Sequence, residues 1–385
     1  PEEHKLGLRG SSTTSLFLDN VRIARDRVLG EVGRGHVVAL NILNLGRLKL
    51  GAGCVGAAKH ALRDAVAYAC ERRQFGRPIA SFGLIKQKIA EMVIRLYLSE
   101  SAVYRVGGLV DQALGGIDLT GDGGGREAAR ALEEYAPECA INKVLGSEML
   151  DLVVDEMVQI YGGYGFIEDY PAARAYRDAR INRLYEGTNE INRLVIAGQL
   201  LRRGRAGRIP LLDAARRAAT LLDAAADDQP APLPAPGSPD EVGAISGEFL
   251  ARAKTVVLAC LGRAVDRAGA DLDEHQEILG WLSDQLIEVF AVESGVLRAR
   301  QGAGVHGGSL MAALARDAVE ELGPSLERFA TRILSAVEDG PRLARDLAGA
   351  RVLLRCRRQN PLATRRAIAD QVLEAGGYGL GLPPA

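Results

Sequence analysis

Aromatic side chains make up only 5% of the 385 residues, with a single Trp, so any core must come mainly from Ala, Leu, Val and Ile. Charge of one sign is also missing. Lys and Arg total 48 against 49 Asp and Glu, a formal net charge of −1, which leaves no basic excess to track a nucleic-acid backbone and argues against nucleic-acid binding. The five cysteines, Cys54, Cys70, Cys139, Cys260 and Cys356, form no Cys-x-x-Cys pair. The five histidines, His4, His36, His60, His275 and His306, show no zinc-protease spacing. Neither a disulfide framework nor a metal site is expected, and a reducing compartment fits. No apolar run is long enough to span a bilayer: the best, residues 37–55, is interrupted by Asn41, Asn44, Arg47 and Lys49, so a soluble protein is expected. The opening Pro-Glu-Glu-His-Lys has no initiator Met and no apolar signal core.

What is present is helical periodicity. Residues 1–34 read as the end of a β region, with a strand over 11–18 and alternation at Val21, Arg22 and Ile23. Leu40, Leu43, Leu50, Val55, Leu62, Val66 and Ala69 then recur at helical intervals. Among them Gly46, Gly51, Gly53 and Gly56 weaken the helix but allow close helix approach. A loop at 74–78 separates this helix from a second over 82–114. A glycine connector at 115–125 leads to a third over 126–161, then a glycine turn, an acidic loop and a fourth helix over 188–201. Residues 224–239 form a Pro-rich linker. Beyond it, apolar-periodic segments at 244–267, 273–300, 308–338 and 341–374 predict a second helical bundle. The segment 158–166 is echoed at 372–380, which suits either a repeat or two glycine helix stops sharing a Tyr.

Three segments could carry chemistry. Arg72-Arg73-Gln74-Phe75-Gly76-Arg77-Pro78 could clamp a pyrophosphate while Phe75 packs on a ring, although arginines at a helix end ordinarily complement its dipole. Gly162-Gly163 follows a helix and reads first as its stop. Gly121 to Gly125 lacks the ending of a phosphate-binding loop. In Tyr185-Glu186-Gly187-Thr188-Asn189-Glu190 the carboxylate of Glu186 stands just before a helix that Thr188 or Asn189 can cap. There it serves the helix dipole or, in an apolar cleft, acts as a general base. His275, Trp281 and His306 read as packing residues, and the arginines at 202–208 and 355–366 as solvated surface.

Taken in order, Gly7-Leu8-Arg9-Gly10-Ser11, Arg72-x-x-Phe75-Gly76-x-Pro78-Ile79, Gln159-Ile160-Tyr161-Gly162-Gly163-Tyr164-Gly165-Phe166 and Tyr185-Glu186-Gly187-Thr188-Asn189 resemble the acyl-CoA dehydrogenase family. With the helical domain after the linker, Asn44-Leu45-Gly46-Arg47 and Phe82-Gly83-Leu84-Ile85, the chain looks most like the C-terminal portion of the very-long-chain branch. The resemblance implies a mainly α fold: the end of the middle β domain at 1–34, a four-helix bundle at 35–205, a connecting helix and linker at 206–240, and an additional helical domain at 241–385. It implies FAD-dependent α,β-dehydrogenation of a long-chain fatty acyl-CoA in β-oxidation, with Glu186 as the α-proton base. The base's own N–H and a flavin hydroxyl stabilise the enolate. Some relatives carry the base at the position of Gly46, which here cannot serve.

By the same resemblance Arg72, Gln74, Phe75, Phe82, Gln159, Gly162, Gly163, Thr188 and Glu190 bind FAD, and Asn44, Arg47 and Gly187 meet the substrate. Lys86 stands where many members have Gln. The implied partners are an acyl-CoA, an electron-transferring flavoprotein, a second copy in a homodimer and, weakly, a membrane surface. The implied place is the cytoplasm, peripheral to the inner membrane in a bacterium, or the mitochondrial matrix in a eukaryote. A non-catalytic assembly protein and a flavin acyl-CoA oxidase are the competing readings; retention of Glu186 and Arg72 favours an enzyme over the assembly protein.

Overall fold

The computed structural model describes residues 2–121, 123–228, 239–304 and 307–380. Twelve α-helices, five short 3₁₀ stretches and one short hairpin account for the regular structure of these residues. The first bundle is built on α1 (Gly35–Glu71), α2 (Gly83–Leu114), α4 (Ala136–Tyr161) and α6 (Asn189–Arg205), with the shorter α3 (Gly124–Glu134) and α5 (Pro171–Ala179) at its flanks. Its core is poor in aromatics, as the composition requires. Ala58, Leu62, Ala65, Val66 and Ala69 of α1 meet Ile89, Met92 and Leu96 of α2 and Val153 and Met157 of α4, all buried. Small side chains let α1 and α4 come close. A Cβ on Gly146 would lie 3.0 Å from the Gly51 Cα, and one on Gly51 only 2.8 Å from the Asn142 carbonyl oxygen, so the crossing tolerates nothing larger. Gly53 and Gly56 face open space instead.

Within residues 2–205 four expectations need correction. Residues 2–34 contain no strand: 11–24 run without a ladder, and Leu16, Phe17 and Leu18 are more than four-fifths exposed. A strand needs a neighbour that takes up its N–H and C=O groups in a continuous ladder; here the Glu3 N–H donates to the Thr13 carbonyl at 3.0 Å, and no ladder follows among the described residues. Loop 74–78 is a tight hairpin, β1 (Arg73–Gln74) pairing antiparallel with β2 (Arg77–Pro78). The helix expected over 126–161 breaks at Tyr135, because Pro137 cannot donate within a helix and so occupies the first turn of a new one. The acidic loop after Gly163 contains α5, which also opens on a proline.

The second bundle comprises α7 (Leu211–Asp227), α8 (Pro239–Ala268), α9 (Gln276–Gln301), α10 (Gly308–Val337) and α11 (Gly340–Leu353). The segment at 341–374 is thus two helices, and Pro361 opens the second, α12 (Pro361–Glu374). Helix α7 runs into the start of the expected linker, since Ala224 to Asp227 are helical; residues 229–238 lie outside the described residues. Ala215, Ala218, Ala219, Leu222 and Ala225 give α7 a buried stripe of small side chains. Helix α12 returns to the first bundle: Lys86 of α2 pairs with Asp370, and Arg365 reaches both Glu91 and Asp317.

The echoed Gly-Gly-Tyr-Gly segments are both helix stops, with left-handed backbone at Gly162 and Gly376. They differ in burial: Tyr164 is exposed, whereas Tyr378 is buried and donates to Glu100 at 2.7 Å. His275 stands just before α9 without a side-chain cap bond and lines a surface cleft with Arg267 and the half-buried Trp281; His306 lies outside the described residues. Arg203, Arg205 and Arg208 are engaged by Glu134 and Asp273 and so form no basic patch. No helix among the described residues is long and apolar enough to cross a membrane.

Candidate active site

The turn between the short 3₁₀ stretch Arg180–Arg183 and α6 carries Glu186 in the left-handed region, φ 57°, followed by Gly187 at 79°. Glycine takes that conformation freely, but a Glu there is strained by about 1 kcal/mol or more. Such strain persists only where the surroundings over-determine the backbone, and here they do. Asn192 Nδ2 donates to the carbonyls of Glu186, Gly187 and Thr188 at 3.4, 2.8 and 2.9 Å. Lys143 Nζ donates to the Gly187 carbonyl at 2.8 Å, and Arg47 Nε to the Glu186 carbonyl at 3.3 Å. Thr188 caps α6 by accepting from the Ile191 N–H at 3.3 Å.

The Glu186 carboxylate lies against α1. A Cβ on Gly46 would sit 2.6 Å from Glu186 Oε2 and 2.9 Å from Oε1, so Gly46 is what makes room for it. Oε2 is buried and has no hydrogen-bond partner, an arrangement that leaves a carboxylate oxygen available rather than engaged. Beside it Arg47 is buried and reaches Asn44 Oδ1 at 3.2 Å. Burial pulls the Arg47 guanidinium down from its ordinary range, with the Glu186 charge opposing. Lys143 is fully buried on α4, and burial lowers its ammonium to about 8. The Glu190 carboxyl is held below its usual range by its own backbone N–H and the Thr188 hydroxyl. Burial pushes the Cys54 and Cys139 thiols up to about 12, which keeps them protonated and inert.

A second group gathers at the other end of α1. Arg72, Gln74, Gly162 and Gly163 line one open cleft of about 480 Å³ with Tyr68, Tyr161 and Tyr164. Tyr68 stacks on Tyr161, centroids 4.1 Å apart, and the Arg72 guanidinium stands over Tyr164 at 5.6 Å. Phe75 occupies the hairpin tip at φ 51° with Gly76 at 79°, the backbone that a two-residue turn of primed type demands. It is 91% exposed and meets Phe82 edge-on at 6.0 Å. Gln159 is exposed one turn before Gly162, whose N–H its carbonyl accepts.

The predicted residues therefore fall into two groups: Asn44, Arg47, Glu186, Gly187, Thr188 and Glu190 in one, Arg72, Gln74, Phe75, Phe82, Gly162 and Gly163 in the other, with Gln159 adjoining the second. Sequence reasoning missed Lys143, Asn189 and Asn192. The available signal was the polar set Asn142, Lys143 and Ser147 interleaved with Ala140, Ile141, Val144 and Gly146 on α4, all buried in the structure.

A strained carboxylate turn clamped by buried cations thus stands on a long-helix bundle against which a second bundle packs. Residues 33–201 match the family model for the acyl-CoA dehydrogenase C-terminal domain, and residues 252–352 a second model of the same description. A probable acyl-CoA dehydrogenase of Bacillus subtilis is 40% identical over 383 residues, 98% of this chain and 63% of that protein. The crystal structure of an acyl-CoA dehydrogenase complexed with FAD from Bacillus anthracis superposes with a TM-score of 0.92 at 39% identity, covering 98% of this chain and 64% of that one. The human mitochondrial very long-chain specific acyl-CoA dehydrogenase is 40% identical over 199 residues, 52% of this chain and 28% of that protein. The chain belongs to the acyl-CoA dehydrogenase family and spans less than two thirds of the length of these relatives.

Proposed function

We propose that this chain carries the catalytic base and part of the flavin site of an FAD-dependent dehydrogenase that desaturates a long-chain fatty acyl-CoA between Cα and Cβ. The single observation that supports this most is the unpartnered, buried Oε2 of Glu186 above Gly46. Glu186 takes the α-proton onto this carboxylate. Arg47 and Asn192 fix the backbone from which it projects, and the N–H of Glu186 meets charge building on the thioester oxygen. Asn44 orients Arg47.

The residues of the second group fit FAD. A guanidinium, an amide and two bare glycines whose added Cβ atoms would meet nothing within 4 Å leave room and donors for a pyrophosphate, and the exposed Phe75 offers an aromatic face. Arg72, Gln74, Phe75, Phe82, Gln159, Gly162 and Gly163 are assigned to it, with Thr188 and Glu190 at the α6 start. When bound, FAD supplies the acceptor for the β-hydride. Partition of these residues between two separate groups suits a homodimer in which each copy holds a cofactor of the other. Electrons then pass to an electron-transferring flavoprotein.

The test is Glu186→Gln. Flavin should be retained while turnover of palmitoyl-CoA falls by about 10²–10⁴-fold, the range for removing a general base. Normal turnover removes Glu186 from the role.

A further inference from the structure

One line of hydrogen bonds leads out of the Glu186 turn and into the second bundle. Asn189, buried at the first position of α6, accepts from Lys143 Nζ at 2.6 Å and donates to Glu148 Oε1 at 3.0 Å. The same Glu148 carboxylate takes both terminal nitrogens of Arg193, at 2.9 and 3.1 Å. Arg193 lies one turn along α6 and gives its remaining Nε to Asp284 of α9 at 2.7 Å. Its backbone carbonyl accepts from the Ser283 hydroxyl at 2.6 Å. At the other end, Lys143 also holds the Gly187 carbonyl. A guanidinium saturated by two carboxylates and a carboxylate held two-toothed are the more rigid kinds of contact. Each member shares a partner with the next, so displacing one displaces its neighbour's acceptor.

We infer that Arg193, anchored by Ser283 and Asp284 of the second bundle, is a positioning residue for Glu186, so that the second bundle helps set the geometry of the site. The effect on turnover rests on the reading of Glu186 as the base; the effect on the turn rests on these hydrogen bonds alone. The turn is strained, and a strained turn relaxes when one of its restraints is loosened. Freed from Asp284, Arg193 no longer fixes Glu148, Asn189 loses a fixed acceptor, and Lys143 loses one of its two anchors beside Gly187. If the Arg193–Asp284 contact only fastens one bundle to the other, its loss changes melting and leaves the turn as it was.

Hydrogen exchange of the segment 184–194 in the intact protein separates the two. Asp284→Ala should speed exchange there by about tenfold, as expected for coupled neighbours, and lower kcat more than it changes KM. Asp284→Asn keeps the volume and an acceptor for Arg193 Nε and should restore most of both. Leu314→Ala, a fully buried position on α10 outside this line, should lower the melting temperature and leave exchange at 184–194 unchanged. The inference is overturned if Asp284→Ala leaves that exchange at the wild-type rate, or if Leu314→Ala reproduces its effect at equal loss of stability. Failure of the base reading shows separately, as undiminished turnover in Glu186→Gln.

Discussion

Both bundles bury cations, but those at the Glu186 turn are used unlike those of the second bundle. At that turn Arg47 and Lys143 donate to backbone carbonyls, and the Oε2 of Glu186 is left without a partner. In the second, Arg263 meets both oxygens of the fully buried Asp346 at 2.9 and 3.0 Å and Asp223 at 2.9 Å, and the half-buried Arg365 of α12 likewise forks onto Asp317 of α10 with both bonds at 3.1 Å. Backbone strain divides the same way. Among the described residues, non-glycine residues with left-handed backbone are Leu8, Asn20, Phe75 and Glu186, and none belongs to the second bundle. Charges paired with charges hold helices together. Charges that grip the carbonyls of a strained turn hold its carboxylate in place, at a cost in stability.

The largest expected effect that would sharpen this contrast is on stability. Asp346→Ala leaves the Arg263 guanidinium buried beside one half-exposed carboxylate and should cost about 3–5 kcal/mol, measured by denaturant unfolding. Turnover well below the melting temperature should hardly change. A large loss of kcat in the folded variant would break the division between the bundles.

Gly46→Ala should act the other way round. The added methyl must displace the Glu186 carboxylate, and a misplacement near 1 Å costs about 100-fold in rate. Steady-state kinetics should show the fall while the melting temperature stays close to wild type. Ala is the better helix former, so any stability change there has an opposing term.

The smallest effect is expected at the hairpin tip. Phe75→Gly relieves a left-handed aromatic residue and should leave stability unchanged or raise it by up to about 1 kcal/mol. Flavin should nevertheless dissociate more readily, read from the flavin absorbance that survives gel filtration. Unaltered retention would remove Phe75 from the cofactor site.

Much of this was legible in the sequence, for identifiable reasons. Helical periodicity located α1 and α2 because one face of each is mostly Ala, Leu, Val and Ile, and α6 through its buried apolar positions Ile196, Ala197 and Leu201. The motifs around Phe75, Gly162 and Glu186 were visible because tight turns demand glycine at fixed places. What escaped was non-local. A strand at 11–18 depends on a neighbour that no local pattern reveals, and α7 came only with the family resemblance, as the connecting helix within 206–240, because its buried stripe is almost entirely alanine. Lys143 escaped because a lysine in a helix is ordinarily read as solvated. Only the packing of α4 on α6 shows that its ammonium has carbonyls instead of water.

The central claim is that Glu186 removes the α-proton. Anaerobic addition of palmitoyl-CoA to wild-type protein and to Glu186→Gln, both carrying flavin, tests it most directly through the flavin absorbance. The account predicts that the wild-type flavin bleaches within the mixing time scale of turnover and that the Gln variant binds the thioester yet keeps its oxidised spectrum. Equal bleaching in the two proteins would contradict it.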